Sequence, residues 1–306
     1  MELRALRYFS AVVEAGSLSA AAAQLRLSQP SLSVAISRLE SEVGVPLLTR
    51  SPRGVAPTSA GRYLLDASSR VLGEVDEIAT TLRRFGQGLE GSLTIAAVPV
   101  LMWARLPRLL RALDREAPGV RVSLVDPPPW SAIDMLQQQG RVDLAAVMVA
   151  DPERFARRHR GEFDIVDWGS VPLVGVLPPH RGDAPDPLPL REFDGVTVML
   201  PQRTSAVPSL PEAVERGFLT HGIAPAEIRS AATIQSGMPL IEAGLAWAVL
   251  PDPDRESLSR FDVVVRGLSP ELPPLQALVL LRKGAATDPT IARLLRLLAE
   301  ESQDRV

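Results

Sequence analysis

Between Ser28 and Arg38 the sequence reads SQPSLSVAISR, and its hydrogen-bonding side chains fall to one side of a helical pattern. Leu32, Ile36, Leu39 and Val43 take the other side, the i, i+4, i+7, i+11 stripe that a helix buries. Gln29 carries an amide that can pair with the N6 and N7 edge of adenine. Ser31, Ser33 and Ser37 are short, allow close approach, and can bond bases or phosphates. Arg38 lies nearer the backbone, where it would neutralise a phosphate. Such a face suits the major groove of DNA. The spacing alone leaves a second reading open, a solvated face on a generic three-helix unit.

The neighbouring segments must position that face. Leu3, Leu6, Phe9, Val12 and Val13 predict a first helix, broken at Gly16-Ser17. Residues 19–25 predict a second, alanine-rich helix with Ser19 as its N-cap. After a tight turn through Arg26-Leu27, Ser28 caps a third helix, and Pro30 stands where no intrahelical donor is needed. Gly44 ends it. Helix, tight turn and helix make a helix-turn-helix pattern, whose second helix presents its N-terminal residues to base edges. Residues 46–57, with three prolines and Gly54, read as a hairpin-like wing that carries Arg50 and Arg53. Thr58 or Ser59 then caps a long amphipathic helix from Ala60 to about Gly88. Its apolar residues recur at three- and four-residue steps, which predicts a linker or dimerisation helix rather than an ordinary core helix.

Beyond residue 90 the pattern changes. Apolar strands at 93–98, 120–125 and 144–149 alternate with helical segments at 103–117 and 130–138, an order that predicts a parallel sheet. A second set has strands at 172–177, 196–200, 228–232 and 245–250 and helices at 211–221 and 237–243. A strand at 275–281 and a helix at 288–301 close the chain. Two α/β halves, the first completed by the C-terminal segment, would hold a ligand cleft between them.

Composition limits the alternatives. A chain of 306 residues with 46% hydrophobic and 23% charged residues is an ordinary globular composition with room for two domains or more. It has no cysteine, and its three histidines, His159, His180 and His221, lack ligand spacing, so no metal site or thiol chemistry is expected. Net charge is −3, but residues 1–58 hold six arginines against four acids. A mildly basic head on an acidic body fits a DNA-binding module joined to something else. No signal peptide or membrane-length apolar run is evident, so a cytoplasmic location without membrane contact is expected. A catalytic reading finds no glycine-rich phosphate loop and no nucleophile elbow. A solute-binding protein would lack the N-terminal module.

The run LRYFSAVVEAGSLSAAAAQLRLSQPSLSVAISRLESEVGVPLLTRSPRGVAPTSAG resembles the N-terminal domain of LysR-type transcriptional regulators over some sixty gapless residues. GSLTIAAVPVL, GRVDLAAV and IEAGLAWAVLP resemble landmarks of that family's effector domain. The resemblance implies an α/β protein with three parts. These are a winged helix-turn-helix at 1–58, a linker helix at 59–90 and a periplasmic-binding-protein-like effector domain at 91–306. Within the last, subdomain I would span about 91–165 and 268–306, and subdomain II about 166–267. It implies no enzyme activity and no cofactor. Its implied partners are a small-molecule effector, promoter or operator DNA, other copies of the chain in a dimer or tetramer, and RNA polymerase if the protein activates. Ser28, Gln29, Pro30, Ser31, Ser33, Val34, Ser37, Arg38, Arg50 and Arg53 are the expected DNA-binding residues. Pro99, Val100, Leu101, Trp130, Met148, Arg203, Thr204, Ser205, Gln235 and Ser236 are the expected effector lining.

The sequence departs from the family pattern at two places. Val34 stands where a basic or amide residue is frequent; it cannot donate to guanine but can touch a thymine methyl. After the first effector-domain strand, VPVLM replaces the usual serine or threonine, and Pro99 removes a backbone donor from an anion site. An effector held mainly by apolar contact is therefore expected rather than a compact dicarboxylate.

Overall fold

The computed structural model describes residues 1–51, 54–126, 131–138, 141–203, 208–254 and 256–303. The chain divides into two compact units, Met1–Arg84 and Phe85–Val306.

In the first unit, α1 (Leu3–Ala15), α2 (Leu18–Leu25) and α3 (Gln29–Val43) precede a hairpin of β1 (Leu48–Ser51) and β2 (Gly54–Pro57), and α4 (Ser59–Gly86) follows. The caps set these limits. Ser17, not Ser19, caps α2: its hydroxyl accepts from the Ala20 amide, because Gly16, at φ 62°, has already turned the chain. Arg26 takes a left-handed conformation, φ 56°, to make the tight turn. Ser28 caps α3, accepting from the Ser31 amide at 3.2 Å. Thr58 accepts from the Gly61 amide at 3.0 Å at the start of α4. The core joins Phe9 and Val12 of α1, Ala21 and Ala22 of α2, and Leu32, Ile36 and Leu39 of α3, with Leu48 and Leu64 closing it. Glu40 ties the end of α3 to the wing, accepting from the amides of Leu47 and Leu48 at 2.8 and 3.1 Å.

The second unit begins with β3 (Glu90–Ala97), α5 (Pro99–Ala104), α6 (Leu106–Glu116), β4 (Gly119–Val125), α7 (Ala132–Gln137), β5 (Leu144–Val149), α8 (Pro152–His159) and β6 (Phe163–Val171). The chain then enters a second sheet through β7 (Leu173–Leu177), β8 (Leu188–Pro189), β9 (Thr197–Pro201), α9 (Leu210–Thr220), β10 (Glu227–Ala231), α10 (Ile234–Glu242), β11 (Trp247–Pro251), β12 (Val264–Arg266) and β13 (Leu268–Ser269). It returns with β14 (Leu275–Arg282) and ends on α11 (Pro289–Gln303). The first sheet has the order β4-β3-β5-β14-β6 and the second β10-β9-β11-β7-β12.

Both sheets are mixed rather than purely parallel. The βαβ units pair in parallel as expected, but β14 runs antiparallel to β5 and β6, and β7 runs antiparallel to β11 and β12. The reason is the path: strands reached by crossing between sheets arrive without a crossover helix and need not share the βαβ direction. The helix expected at 103–117 is two helices meeting at Arg105. That buried guanidinium donates to the carbonyls of Trp168 and of Ser170, the latter at 2.7 Å, which fixes the bend against β6. The helix expected at 237–243 starts earlier, at Ile234, because Thr233 caps it.

Candidate nucleic-acid interface and ligand crevice

On α3, Leu32, Ile36 and Leu39 are buried while Gln29, Pro30, Ser31, Val34, Ser37 and Arg38 are exposed and Ser33 is half-buried. Val34 is 69% exposed, so an apolar methyl pair projects from the polar face. The Ser28 and Ser31 hydroxyls lie 2.7 Å apart, locked together at the start of the helix. The wing reaches the same face, with the Arg50 guanidinium 3.5 Å from the Ser33 hydroxyl. Arg53 lies outside the described residues. Two free turns of helix, carrying an amide, hydroxyls, two methyls and guanidinium groups, match what the floor and walls of a major groove offer.

In the second unit, a crevice opens between the two sheets. Val98, Pro99 and Val100 form one wall at the end of β3, with Val147 and Met148 of β5 and Leu275 of β14 beside them. The other wall is Pro201, Ser209, Leu210, Thr233 and Ile234. The atom-free space in the crevice and its mouth is about 620 Å³. Among the described residues, only Ser209 and Thr233 bring polar side chains, and both serve helix caps. Ser209 and Glu212 form a capping box at α9, with the Ser209 amide 2.9 Å from the Glu212 carboxylate. The Thr233 hydroxyl accepts from the Ser236 amide at 3.1 Å, and the Ser236 hydroxyl accepts from the Thr233 amide at 2.9 Å.

Of the expected lining, the structure brings together Pro99, Val100 and Met148. Leu101 is fully buried and packs into the core behind the wall, since α5 turns it away from the opening. Gln235 and Ser236 are exposed and do not line the crevice: with α10 starting at Ile234, they ride on its outer side. Arg203 is also turned aside, in an ion pair with Glu215 on α9 that holds its guanidinium further above the usual arginine range. Trp130, Thr204 and Ser205 lie outside the described residues. The residues not anticipated, Val98, Val147, Pro201, Ser209, Leu210, Thr233, Ile234 and Leu275, sit at strand ends and helix caps. The pattern Ser-x-x-Glu at 209–212 was the available signal for one of them.

A helix-turn-helix unit with a free recognition face, joined to an α/β unit with an interior crevice, defines a ligand-responsive DNA-binding regulator. Residues 3–62 match the model for the bacterial regulatory helix-turn-helix protein, lysR family, and residues 86–303 match the LysR substrate binding domain. The chain belongs to the LysR family of transcriptional regulators. It is 32% identical over 301 residues to the HTH-type transcriptional regulator IlvR of Caulobacter vibrioides, covering 98% of both chains. It is 30% identical over 270 residues to a probable cat1 operon transcriptional activator of Acinetobacter lwoffii, covering 87% of this chain and 85% of that protein. The crystal structure of CbnR, a LysR family transcriptional regulator, superposes with a TM-score of 0.82 at 27% identity, covering 97% of this chain and all of that one. Full-length CbnR complexed with target DNA gives 0.79 at 26% identity, covering 99% and 100%. The protein is thus a DNA-binding transcriptional regulator with an effector-binding domain, and its relatives are regulators, not enzymes.

Proposed function

We propose that the crevice between the two sheets is the effector site and that it takes a ligand with a largely apolar body. The observation that carries this reading is the lining: nine of the eleven described residues at the crevice are apolar, and the two hydroxyls cap helices. A compact dianion would lose its hydration there without a described cation to replace it. Residues 1–58 serve as the DNA module, 59–90 as the linker and 91–306 as the effector domain, divided near 165 and 268. Gln29 and Val34 read bases, while Arg38, Arg50 and Arg53 hold phosphates. The chain works as a dimer or tetramer at a promoter, and as an activator it would also meet RNA polymerase.

Calorimetry on the full chain with succinate, benzyl alcohol and longer aliphatic alcohols tests the ligand class. The neutral compounds should bind with a negative heat-capacity change, and Val100→Glu should remove that binding. Tight succinate binding that competes with the neutral compounds and is lost on Val100→Glu would overturn the assignment.

A further inference from the structure

The first unit has a second open feature besides the α3 face. A hollow of about 1210 Å³ of atom-free space lies between the start of α1 and the outer side of α3. Its α3 wall includes Ser31, Val34 and Arg38, which belong to the recognition face. Its α1 wall includes Arg4 and Tyr8. The hollow is therefore continuous with the surface that meets the major groove.

The arginines of this unit are not equivalent. Arg7 is spent within the protein, bonded to Asp76 of α4 at 3.0 Å. Arg62 donates to the Pro57 carbonyl and the Ser59 hydroxyl, both at 3.1 Å. Arg4 instead lies with its guanidinium carbon 5.7 Å from the centre of the Tyr8 ring, across the hollow from Arg38. A ring face orients a guanidinium without using its N–H donors, so they remain available to an incoming anion. Two acids share the hollow: Glu42 is paired with the Met1 amino group, and Glu2 is exposed at its edge.

We propose that Arg4, held in place by Tyr8, binds a backbone phosphate of the duplex strand flanking the recognition helix, opposite the phosphate taken by Arg38. The inference rests on the DNA-binding reading of α3. The occupant is a sugar–phosphate strand, because the hollow opens onto the DNA face and two guanidinium groups border it. Tyr8 positions Arg4 and does not itself read sequence.

The test uses the full chain and a mixed-sequence duplex, with affinity measured at several salt concentrations. Arg4→Ala should lower the log–log salt slope by about 0.9 per bound protomer, equally for all sequences. Arg4→Lys should restore most of the slope, and Arg7→Ala should leave it unchanged. Arg38→Ala is the reference for the underlying reading. If it lowers the slope while Arg4→Ala does not, only the Arg4 assignment is wrong. If neither changes the slope, the DNA reading of this face is wrong as well. An Arg7→Ala loss as large as that of Arg4→Ala would mean a general structural effect and would also overturn the proposal. Thermal unfolding of Arg4→Ala and Arg4→Lys separates misfolding from lost contact, since a folding defect would lower both melting temperature and slope in the alanine variant and not in the lysine one.

Discussion

Gln29 and Val34 occupy successive turns of one exposed helix face, yet they ask different things of a base pair. The amide of Gln29 can make two directed bonds to adenine, whereas Val34 offers only contact and so discriminates by the presence of a methyl group. Gln29→Ala should cost about 1–3 kcal/mol on the best site and relax preference at one position, as measured by selection from a randomised operator pool. Val34→Arg should move preference at its own position from thymine toward guanine. If selection returned the same consensus for both variants as for the parent chain, α3 would not be the reading element. The apolar stripe and cap of α3 were legible because each is local: Ser28, Pro30, Leu32, Ile36 and Leu39 carry their roles in their spacing. Ser31 is engaged by Ser28 within the first turn, whereas the approach of Arg50 to Ser33 was not disclosed by spacing, because it depends on the wing's path.

Among the elements, α4 shows the sharpest mismatch between what it carries and what covers it. Val71, Val75, Ile78, Leu82 and Phe85 follow one another at steps of four, three, four and three. That repeat is the seam of a left-handed coiled coil. Leu72 packs on the first unit's core, but Ile78 is 59% and Leu82 63% exposed. Ile78→Glu or Leu82→Glu should therefore abolish self-association and, with it, tight binding to a two-fold symmetric site. Sedimentation of the variants beside the parent chain checks this, and an undisturbed oligomer would remove α4 from the interface. Leu72→Glu is a poorer probe, because it would damage folding first.

Elements elsewhere were legible in proportion to how well their pattern survived folding. The strand at 144–149 is buried along its whole length and was read with its observed ends. Strand β6 was missed: a register shift opposite Gln276 and Leu278 interrupts its alternation, and Asp167 falls in phase with buried Phe163, where a regular strand would place an apolar residue. Helix α8 was missed because its eight residues include only Phe155 and Ala156 as apolar members, although Asp151 and Pro152 marked its start. The crevice was half legible. Its β3 wall follows from sequence order, but its opposite wall assembles from Pro201, Leu210 and Ile234, which only the second sheet brings together.

For the whole molecule, one network links distant parts of the second unit. Glu116, at the end of α6, accepts from Arg296 and from Arg293 of α11, the latter at 3.0 Å. The hydrogen bond from Arg296, aided by Arg293, holds the Glu116 carboxyl below its ordinary value of 4.5. A carboxyl whose pKa is lower folded than unfolded stabilises the fold above the unfolded value and loses that contribution as pH falls through the folded one. Stability should therefore decline below about pH 4.5, and Glu116→Gln should show a shallower decline in the same window. Both partners are partly exposed, so high salt should shrink the difference between the two chains. Melting temperatures at pH 3.5–7, with and without salt, check the sign (roughly the interval in which carboxylates titrate). A larger difference at pH 7 than at pH 4 is the expected result.

The place of β14 has a consequence for the order in which the protein comes into being. β6 has a single neighbour in its sheet, and that neighbour is β14. During synthesis, β6 leaves the ribosome about a hundred residues before the strand that will receive it. At ordinary elongation rates it waits on the order of ten seconds, with both backbone edges open. Meanwhile the strands from β7 to β12 are all available, so the second sheet can close while the first stays unfinished. A chain ending at residue 270 and held on the ribosome through an unstructured linker that spans the exit tunnel should therefore protect β9 and β11 from a pulse of protease and leave β6 open to cutting. Extending the nascent chain until β14 clears the exit tunnel should close that window, so the last-made strand acts as the fastener for one of the earliest.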